Sequence, residues 1–452
     1  MKPMTRHGFL FVIFPAMLVL TALEVLLSGR DLTQHYLTLE RDVEAMGPAG
    51  RPALLAWTQR CVSLLLLAVS FERIVYHVMQ RRPLPSAALT WSFLFFWLTT
   101  VAATAVLATN SRISHEYLYP LVLGAACTLV QPDERDRILD AVRTSLLLFL
   151  VAGWLLVPVN TNLVLDMTYS QGLLPGIPRF GGLASHPVML GVLAQTALIV
   201  LWIRPYRRGW LNTVAWMIGL GALFLAQSKT AWLAFFISAC CLLAVRRAPS
   251  AVERMGDPRR SSFGVGLCLL VIGLVFLLLV AMLVVDLPSV LASFFATSEG
   301  AQLASFTGRD RIWVVALEEF KHHPVFGYGL TMWDADYRQA IQMPFATHAH
   351  NQFIDTLGRS GMVGFIGLLI YAVTLLVLSF RYARATGGLS MAFFLTVALL
   401  SISEVPLLLI DYGSHVLTHF LLIVAVASGA AARQRVRPVT VQPIEPNFRT
   451  AT

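Results

Sequence analysis

Long runs of apolar residues, separated by short polar segments, dominate the chain. The runs at 8–27, 263–285 and 362–380 are each about 20 residues long, enough for a helix to cross a hydrocarbon core of ~30 Å. Hydropathy predicts about twelve transmembrane helices, near residues 8–28, 54–72, 86–108, 116–130, 138–159, 186–203, 209–227, 229–245, 263–285, 361–380, 389–410 and 416–432. The pattern therefore predicts an all-α, polytopic integral membrane protein.

Composition agrees with this prediction and excludes several other classes. Apolar residues make up 57% of the chain and charged residues only 13%, whereas soluble domains carry roughly 25% charged residues. A soluble multidomain enzyme, a disordered chain and a small disulfide-stabilised domain are excluded. The net charge of +9 comes from 31 arginines and 3 lysines against 25 acidic residues. Because most arginines lie in short loops between apolar runs, they indicate topology rather than a nucleic-acid partner.

The arginine-rich loops alternate along the chain, which predicts the orientation of the spans. One side of the membrane receives the segments 73–82, 135–137, 204–208, 246–260, 381–384 and 433–437. The positive-inside rule makes this side cytoplasmic, with both termini inside. The opposite side holds the long loops 29–52, 160–185 and 286–361.

The predicted organisation has four parts: residues 1–285 with helices one to nine, the periplasmic catalytic loop 286–361, residues 362–432 with the last three helices, and a disordered cytoplasmic tail at 433–452. The large loop is expected to contain helix. After Arg309, apolar residues recur at helical spacing until Pro324 ends the pattern. This spacing predicts an amphipathic helix at the membrane–water interface, with Thr307 or Asp310 as its N-cap.

Four polar segments on the arginine-poor side carry the candidate chemistry. They are 179–191 (Arg179-Phe-Gly-Gly…His186-Pro), 227–230 (Gln-Ser228-Lys229-Thr), 307–311 (Thr-Gly-Arg309-Asp-Arg311) and 348–364 (His348-Ala-His350-Asn351…Gly-Arg-Ser-Gly). Taken singly, each cation could be a membrane-surface or turn residue, and each histidine a solvated loop residue. Together they could converge on a diphosphate, because Arg and Lys bind phosphate oxygens and His accepts protons near neutral pH.

Metal and nucleotide chemistry have little support in the sequence. His322, His323, His348 and His350 offer nitrogen ligands, but they form no metal-binding helix and have no accompanying carboxylate pair. No nucleotide-binding or nucleophile-elbow motif is present. We therefore expect no metal and no other cofactor.

At these residues the sequence resembles the O-antigen ligase and O-antigen (exopolysaccharide) polymerase superfamily of bacterial membrane glycosyltransferases. The similar segments are Arg-x-x-Gly…His-Pro-x-x-Leu-Gly at 179–191, Ser-Lys-Thr at 228–230, Thr-Gly-Arg…Trp at 307–313, His-Pro-x-x-Gly-x-Gly at 323–329, and His350-Asn351 with the following Gly-x-x-Gly. The similarity covers residues 179–364 and extends to the remainder only as hydropathy.

The resemblance implies a metal-independent glycosyltransferase whose donor is a glycan on undecaprenyl pyrophosphate. Its acceptor would be a lipid-linked glycan or lipid A–core, and membrane lipids would surround it. A chain-length regulator is a possible partner. The protein would lie in the bacterial inner (cytoplasmic) membrane, with its active site on the periplasmic side. Arg309 and Lys229 would hold the diphosphate, and His350 would activate the acceptor hydroxyl, with His348 as the other candidate base. Arg179 and Arg311 are further candidates for diphosphate binding, and Asn351 and Ser228 are expected to support the site.

One departure from the family pattern favours a polymerase of repeat units over a ligase. Ligases of this superfamily usually carry Arg where this chain has Lys229, and Ser-Lys-Thr is more similar to the exopolysaccharide polymerases. A transporter or flippase without chemistry is the alternative from another class. Its support is the scatter of polar residues within predicted spans, namely Glu24, Arg60 and Glu404.

Overall fold

The computed structural model describes residues 9–32, 53–169, 176–256, 309–344 and 346–436. The predicted span at 263–285 and the loop residues 286–308, including Thr307, lie outside these ranges. Asp310 is not the N-cap of the loop helix, because that helix already begins at Arg309.

The described residues are predominantly helical. Their α-helices are α1 (Ile13–Leu27), α2 (Ala53–Met79), α3 (Ala87–Trp97), α4 (Ala103–Leu107), α5 (Leu118–Cys127), α6 (Pro132–Leu155), α7 (Thr161–Val164), α8 (Pro187–Ile203), α9 (Gly209–Leu225), α10 (Lys229–Gly256), α11 (Arg309–His322), α12 (Ala335–Ala340), α13 (Gln352–Arg381), α14 (Leu389–Ser403) and α15 (Leu417–Val436). Short 3₁₀ helices cover Leu10–Val12, His115–Tyr117 and Ser414–Val416, and a π-helical segment, Leu98–Ala102, joins α3 to α4. Two antiparallel strands, β1 (Leu165–Asp166) and β2 (Arg179–Phe180), pair Leu165 with Phe180.

Seven of the described helical segments are long and apolar enough to cross a membrane. They are Leu10–Leu27, Ala53–Met79, Ala87–Leu107, Pro132–Leu155, Lys229–Arg247, Gln352–Arg381 and Ser414–Arg435. The helices α8, α9 and α14 are apolar but shorter, and α5 has only ten residues. The prediction of an all-α polytopic membrane protein is confirmed, whereas the count of twelve spans stays a prediction.

α15 and α8 form the centre of the bundle. Nearly every side chain of α15 from Leu417 to Ala431 is buried, including small residues such as Ala425 and Ala427. α8 is buried from Leu190 to Leu201. A helix that is apolar on all faces can lose its whole surface to neighbouring helices, so these two sit inside the bundle. By contrast, α2 and α13 keep exposed apolar faces that suit contact with lipid.

Several loops predicted on the arginine-rich side meet at one end of the bundle. Their contacts join Arg73 to Glu134 at 2.6 Å, Arg204 to Asp140 at 2.9 Å, and Arg435 to Asp133 at 3.0 Å. The loops predicted on the other side meet at the opposite end of α8. This grouping agrees with the predicted alternation, and which end faces the cytoplasm stays a prediction.

Arg30, just after α1, fastens the loop between α6 and α8. Its side chain is buried and makes five hydrogen bonds, to the carbonyl oxygens of Leu163, Gly182, Ala184 and Ser185. All of these acceptors are backbone carbonyls. The guanidinium therefore replaces the hydrogen bonds that an irregular loop would otherwise make to water.

Several predicted boundaries are wrong: α2 ends at Met79 rather than near 72, and α10 continues to Gly256 rather than ending near 245. α13 begins at Gln352, nine residues before the predicted start at 361, and Gly361 is instead an interruption within it (φ 60°, ψ −159°). α14 ends at Ser403 rather than at 410, so Glu404 lies outside the helix. α15 continues to Val436, and the first four residues of the predicted disordered tail are therefore helical.

The segment 323–329 is wedged against the interruption in α13. The backbone N–H groups of Tyr328 and Gly329 donate to the carbonyl oxygens of Gly358 and Arg359, at 2.9 and 3.0 Å. Gly361 can adopt its positive φ without a Cβ clash, and a Cβ at this position would lie 2.5 Å from the carbonyl oxygen of Val325. Glycine at position 361 therefore allows the backbone of segment 323–329 to lie against the backbone of α13.

Candidate functional site

The carboxylate of Glu404 gathers three of the sequence-predicted site residues. Its Oε2 lies 3.1 Å from Nδ1 of His350 and 3.5 Å from Nε2 of His348, and its Oε1 lies 3.5 Å from the guanidinium of Arg309. The four side chains are 17 to 26% exposed, so the cluster is partly screened from solvent but can be reached from it. One carboxylate thus faces three basic groups.

The ends of three helices position this cluster. Arg309 is the first residue of α11, Glu404 follows the last residue of α14, and His350 precedes α13. Asn351 caps α13, because its side-chain oxygen accepts from the N–H groups at 353 and 354 at 3.0 and 3.1 Å. Its amide nitrogen donates to the carbonyl of Ile402 at 3.3 Å, which links the start of α13 to the end of α14.

The two histidines use their nitrogens differently. His348 accepts a hydrogen bond at Nδ1 from the backbone N–H of His350 (3.1 Å), so its neutral ring carries the proton on Nε2, facing Glu404. His350 presents Nδ1 to the carboxylate. A carboxylate accepts hydrogen bonds, which places the proton of the neutral His350 ring on Nδ1 and leaves the lone pair on Nε2. Of the pair, only His350 keeps a nitrogen that can take up a proton without giving up a contact described here.

Burial and neighbouring charges set the protonation of the cluster. Burial, with the adjacent His350, lowers the pKa of His348 to about 4, so this ring is neutral at neutral pH. Burial alone would raise the pKa of Glu404. The hydrogen bond from His350 and the neighbouring bases His348 and Arg309 outweigh it, and the net result is a pKa of about 2. Glu404 is therefore ionised throughout the physiological range.

His186 adds a third histidine close to the cluster. It caps α8, with Nδ1 accepting the backbone N–H of Val188 at 3.2 Å. Burial and the charge of Arg179 lower its pKa to about 3, and Glu404 and both site histidines also act on it electrostatically. His186 is thus a neutral polar residue beside the site, and sequence reasoning had assigned it no role.

Arg309 also binds the end of α14 and, through it, the turn before α10. Its guanidinium donates to the carbonyl oxygen of Ser403 at 2.9 Å, and the hydroxyl of Ser403 donates to that of Thr230 at 3.0 Å. Lys229, the residue before Thr230, is exposed and is the first residue of α10. α9 ends at Leu225 and α10 begins at Lys229, so a tight turn joins the two helices.

The other predicted site residues lie around this centre in different settings. Ser228 is buried and caps α10 by accepting the N–H of Ala231 at 3.3 Å. Arg179 is buried, donates to the carbonyl of Ala226 at 2.9 Å and stacks on the ring of Tyr169 at 4.4 Å. Arg311 is exposed on α11. Arg179 therefore holds the loop before α8 against the turn before α10, and a role in binding diphosphate stays a prediction for it and for Arg311.

The only metal-ligand group found among the described residues consists of His348, His350 and Glu404. Their ligand atoms all lie within 4.8 Å of one another, a spacing that could hold a metal ion. The sequence had offered no carboxylate to go with these histidines, and the structure supplies one. The Arg309 guanidinium, also on Glu404, places a positive charge where a divalent cation would bind and disfavours it electrostatically.

Glu404 is the central residue that sequence reasoning missed. It was assigned to a span because apolar residues continue on both sides of it, up to Ile410. Pro406 was the available signal, since proline disfavours a helical conformation in the residue before it and removes a backbone donor. A helix predicted to end two or three residues before Pro406 would have left Glu404 at or just beyond the end of α14.

Comparison with known proteins finds a similar family for part of the chain. A family model described as O-antigen ligase matches residues 213–369, less than half of the chain. The matched region contains the turn at Lys229, α11 with Arg309, and both site histidines, while Glu404 and His186 lie outside it. No curated protein matches the chain. The resemblance to the O-antigen ligase and polymerase superfamily is confirmed for this region.

Two findings bear on the class of this protein. Residues 213–369 are similar to the O-antigen ligase family, whose members are glycosyltransferase-like enzymes that use lipid-linked glycans as substrates. The described residues include seven helical segments long and apolar enough to cross a membrane. The chain is therefore a polytopic membrane protein with a region similar to O-antigen ligases.

Proposed function

We propose that this protein is a polymerase of O-antigen or exopolysaccharide repeat units. It would transfer a glycan from undecaprenyl pyrophosphate to a second lipid-linked glycan, at the periplasmic face of the inner membrane. The observation that carries the proposal is the contact of His350 with Glu404 at 3.1 Å beside the guanidinium of Arg309. A base oriented by a carboxylate and a cation next to it are the two groups that this transfer needs.

His350 would act as the general base. The acceptor hydroxyl oxygen forms a bond to the anomeric carbon, and its proton passes to Nε2 of His350. The bond from the anomeric carbon to the diphosphate oxygen breaks, and its electron pair leaves with the diphosphate. Glu404 stabilises the imidazolium that forms, because it already binds the opposite ring nitrogen.

Arg309 and Lys229 would stabilise the leaving group. A diphosphate released from an anomeric carbon gains negative charge, so it needs fixed positive charge rather than a proton. Both residues are the first residue of a helix, α11 and α10, where backbone N–H groups and the helix dipole also favour an anion. The path from Thr230 through Ser403 to Arg309 supports the view that the two cations act on one group.

A ligase that transfers the glycan to lipid A–core is the second candidate. The matching family model includes both activities, whereas Lys229 in place of the arginine usual in ligases favours the polymerase. Both would use the same donor and the same catalytic groups, so the acceptor is what distinguishes them.

Deletion of the gene, followed by gel analysis of surface polysaccharide, tests the proposal in the cell. Loss of long chains with retention of single repeats supports the polymerase. Lipid A–core without attached glycan identifies the ligase instead. Repeat units trapped on the cytoplasmic side would identify a flippase and overturn the enzymatic proposal.

Transfer by the purified protein tests the chemistry directly. The wild type should join synthetic lipid-linked repeats and release polyprenyl pyrophosphate at the same rate with and without excess chelator, because Arg309 and Lys229 supply the charge that a metal would provide. A rate that collapses in chelator and returns with a divalent metal would contradict metal independence and would point to the group of His348, His350 and Glu404.

A further inference from the structure

The backbone of Ala349, between the two site histidines, is held on both sides. Ala349 is fully buried. Its N–H donates to Oδ1 of Asp355 at 2.9 Å, and its carbonyl accepts from Nε1 of Trp313 at 2.8 Å. Asp355 belongs to the first turn of α13 and Trp313 to α11. Two elements thus fix the two successive peptide groups that meet at Ala349.

Asp355 is itself held by a buried ion pair. Its Oδ2 accepts from Nε of Arg359 at 2.8 Å, and the two side chains are 1% and 5% exposed. Arg359 donates further to the carbonyl oxygen of Leu330 at 2.9 Å. Both carboxylate oxygens of Asp355 are therefore engaged within the protein, which leaves positioning rather than substrate binding as its role.

The conformation of His350 explains why such support is needed. Its φ of 48° lies in the left-handed region, which residues with a Cβ occupy at an energetic cost. Strain of this kind persists only where surrounding contacts determine the backbone. Beside the bond from the N–H of His350 to Nδ1 of His348, the two hydrogen bonds to Ala349 are such contacts. If either is lost, the turn can relax and move Nε2 of His350.

Trp313 and Arg309 lie four residues apart on α11, and hence on the same face of that helix. Through Arg309 the helix contacts Glu404, and through Trp313 it holds the turn that carries His350. The distance from the cation to His350 is therefore set by one rigid turn of helix.

We propose that Trp313 and Asp355 are positioning residues that fix the separation between the diphosphate-binding cation and the base. This inference rests on the proposed function, because it assigns these residues a part in glycan transfer. It gives a role to Trp313 of the Thr-Gly-Arg…Trp segment, which holds Ala349, and to Arg359 of the Gly-Arg-Ser-Gly segment, which holds Asp355.

The test uses two conservative variants and two matched controls. Trp313→Phe removes the Nε1 donor while retaining a ring, and Asp355→Asn removes the charge that pairs with Arg359. Trp97→Phe removes an equivalent indole bond, from Nε1 to the carbonyl of Tyr117 at 3.0 Å. Glu134→Gln removes the charge from another buried ion pair, with Arg73. For all four variants, donor affinity, the turnover number and the melting temperature are measured on the full-length protein in the same detergent or lipid.

We expect the turnover number of Trp313→Phe and Asp355→Asn to fall by about 10²-fold, since a displacement of about 1 Å can cost that much in rate. Donor affinity should change little, and both controls should keep the wild-type turnover number at a comparable change in melting temperature. A wild-type turnover number in Trp313→Phe, or a fall in the controls equal to that in the test variants, would overturn the inference. With an inactive His350→Ala variant run alongside, such a result would leave the proposed function intact; a wild-type protein without transfer would overturn both.

Discussion

The two ends of α8 carry charged clusters of opposite character. At its C-terminal end, Arg204 contacts Asp136 at 3.4 Å and Asp140 at 2.9 Å, and Arg143 contacts Asp140 at 3.3 Å. With Arg135, which contacts Asp136 at 2.9 Å, three arginines there share two carboxylates. At the N-terminal end, beside His186, the single carboxylate of Glu404 faces one arginine and two histidines. The two clusters are separated by roughly 25 Å, the length of a 17-residue helix.

The difference separates a structural cluster from a functional one. The cluster at Arg204 pairs permanently charged side chains with one another and fastens loops, with Arg143 also donating to the carbonyl of Pro205 at 3.2 Å and stacking over Tyr206. At the Glu404 end the carboxylate contacts two imidazoles as well as one arginine. An imidazole can act as a proton acceptor, whereas an arginine in a protein stays charged. Each prediction below changes one member at the Glu404 end and, where possible, a matched residue elsewhere.

The largest effect is expected for His350→Ala. Transfer should fall by roughly 10²–10⁴-fold with donor binding nearly unchanged, because a general base acts on the acceptor. His348→Ala should be milder, since both of its nitrogens are engaged within the cluster. His415→Ala is the control, because His415 also faces a carboxylate, Asp411, at 3.4 Å. Single-turnover transfer and donor binding are measured separately, and an active His350→Ala enzyme would move the base elsewhere.

Arg309→Lys should have the next largest effect. Lysine keeps the charge but loses the forked donor geometry, which should reduce the rate by roughly 10²–10³-fold. Arg204→Lys, in the cluster at the other end of α8, should leave the rate near that of the wild type. Rates of polyprenyl pyrophosphate release would show the contrast. Equal rates for the two variants would mean that the forked donors of Arg309 play no special part in transfer.

Glu404→Gln should reduce transfer by about 10²-fold, because the base remains but loses its orientation. Asp140→Asn removes a carboxylate from the cluster around Arg204 and should change the rate by less than about 2-fold. The rates of the two variants relative to the wild type test whether Glu404 orients the base or only fastens α11 to α14. Normal transfer by Glu404→Gln would mean that Glu404 only fastens α11 to α14 and does not orient the base.

The same glutamate should make stability depend on pH in acid. Since its pKa is lowered to about 2 in the folded protein, and is ~4.3 in an unfolded chain, its ionisation stabilises the fold above about pH 4. That contribution is lost as the pH falls from about 4 towards 2. Melting temperature between pH 5 and 3 should therefore fall more steeply for the wild type than for Glu404→Gln. Parallel curves would show that Glu404 is not ionised in this cluster.

Lys229→Arg should have the smallest effect, within a few-fold of the wild-type rate. The related ligases carry arginine at the matching place, and the longer side chain still reaches a phosphate oxygen. Lys229→Met, which keeps the length but removes the charge, is the comparison for donor binding. A loss in Lys229→Arg as large as that in Lys229→Met would show that more than charge is required there.

Hydropathy predicted the membrane fold well because the length and apolarity of a span follow directly from bilayer thickness. It misplaced the start of α13 and the end of α14 for one reason: it measures apolarity, not helical conformation. The first nine residues of α13 include polar Gln352, Asp355 and Arg359, so a hydropathy window starts only near Gly361. Beyond Ser403 the apolar pattern continues although the helix has ended.

The site was predicted in its parts but not in its assembly. Charge on the arginine-poor side pointed to Arg309 and the two histidines, and a sequence pattern can do this because each segment is local. The partnership with Glu404 joins residues 54 positions apart in one case and 95 in the other. No periodicity reports such a contact. Arg179 was predicted as an available cation, whereas its burial against Tyr169 depends on a loop fold that composition does not encode.

Arg30 has a consequence for how the chain is put together during synthesis. It leaves the ribosome with the first span, yet the carbonyl groups that it binds belong to residues 163, 182, 184 and 185. Chains fold as they emerge, from the N-terminus onwards, and until the segment up to residue 185 has been synthesised this guanidinium has none of these carbonyl partners. We therefore expect the first span to enter the bilayer early and to dock late. The order in which spans are inserted and the order in which they are locked together would then differ in this protein.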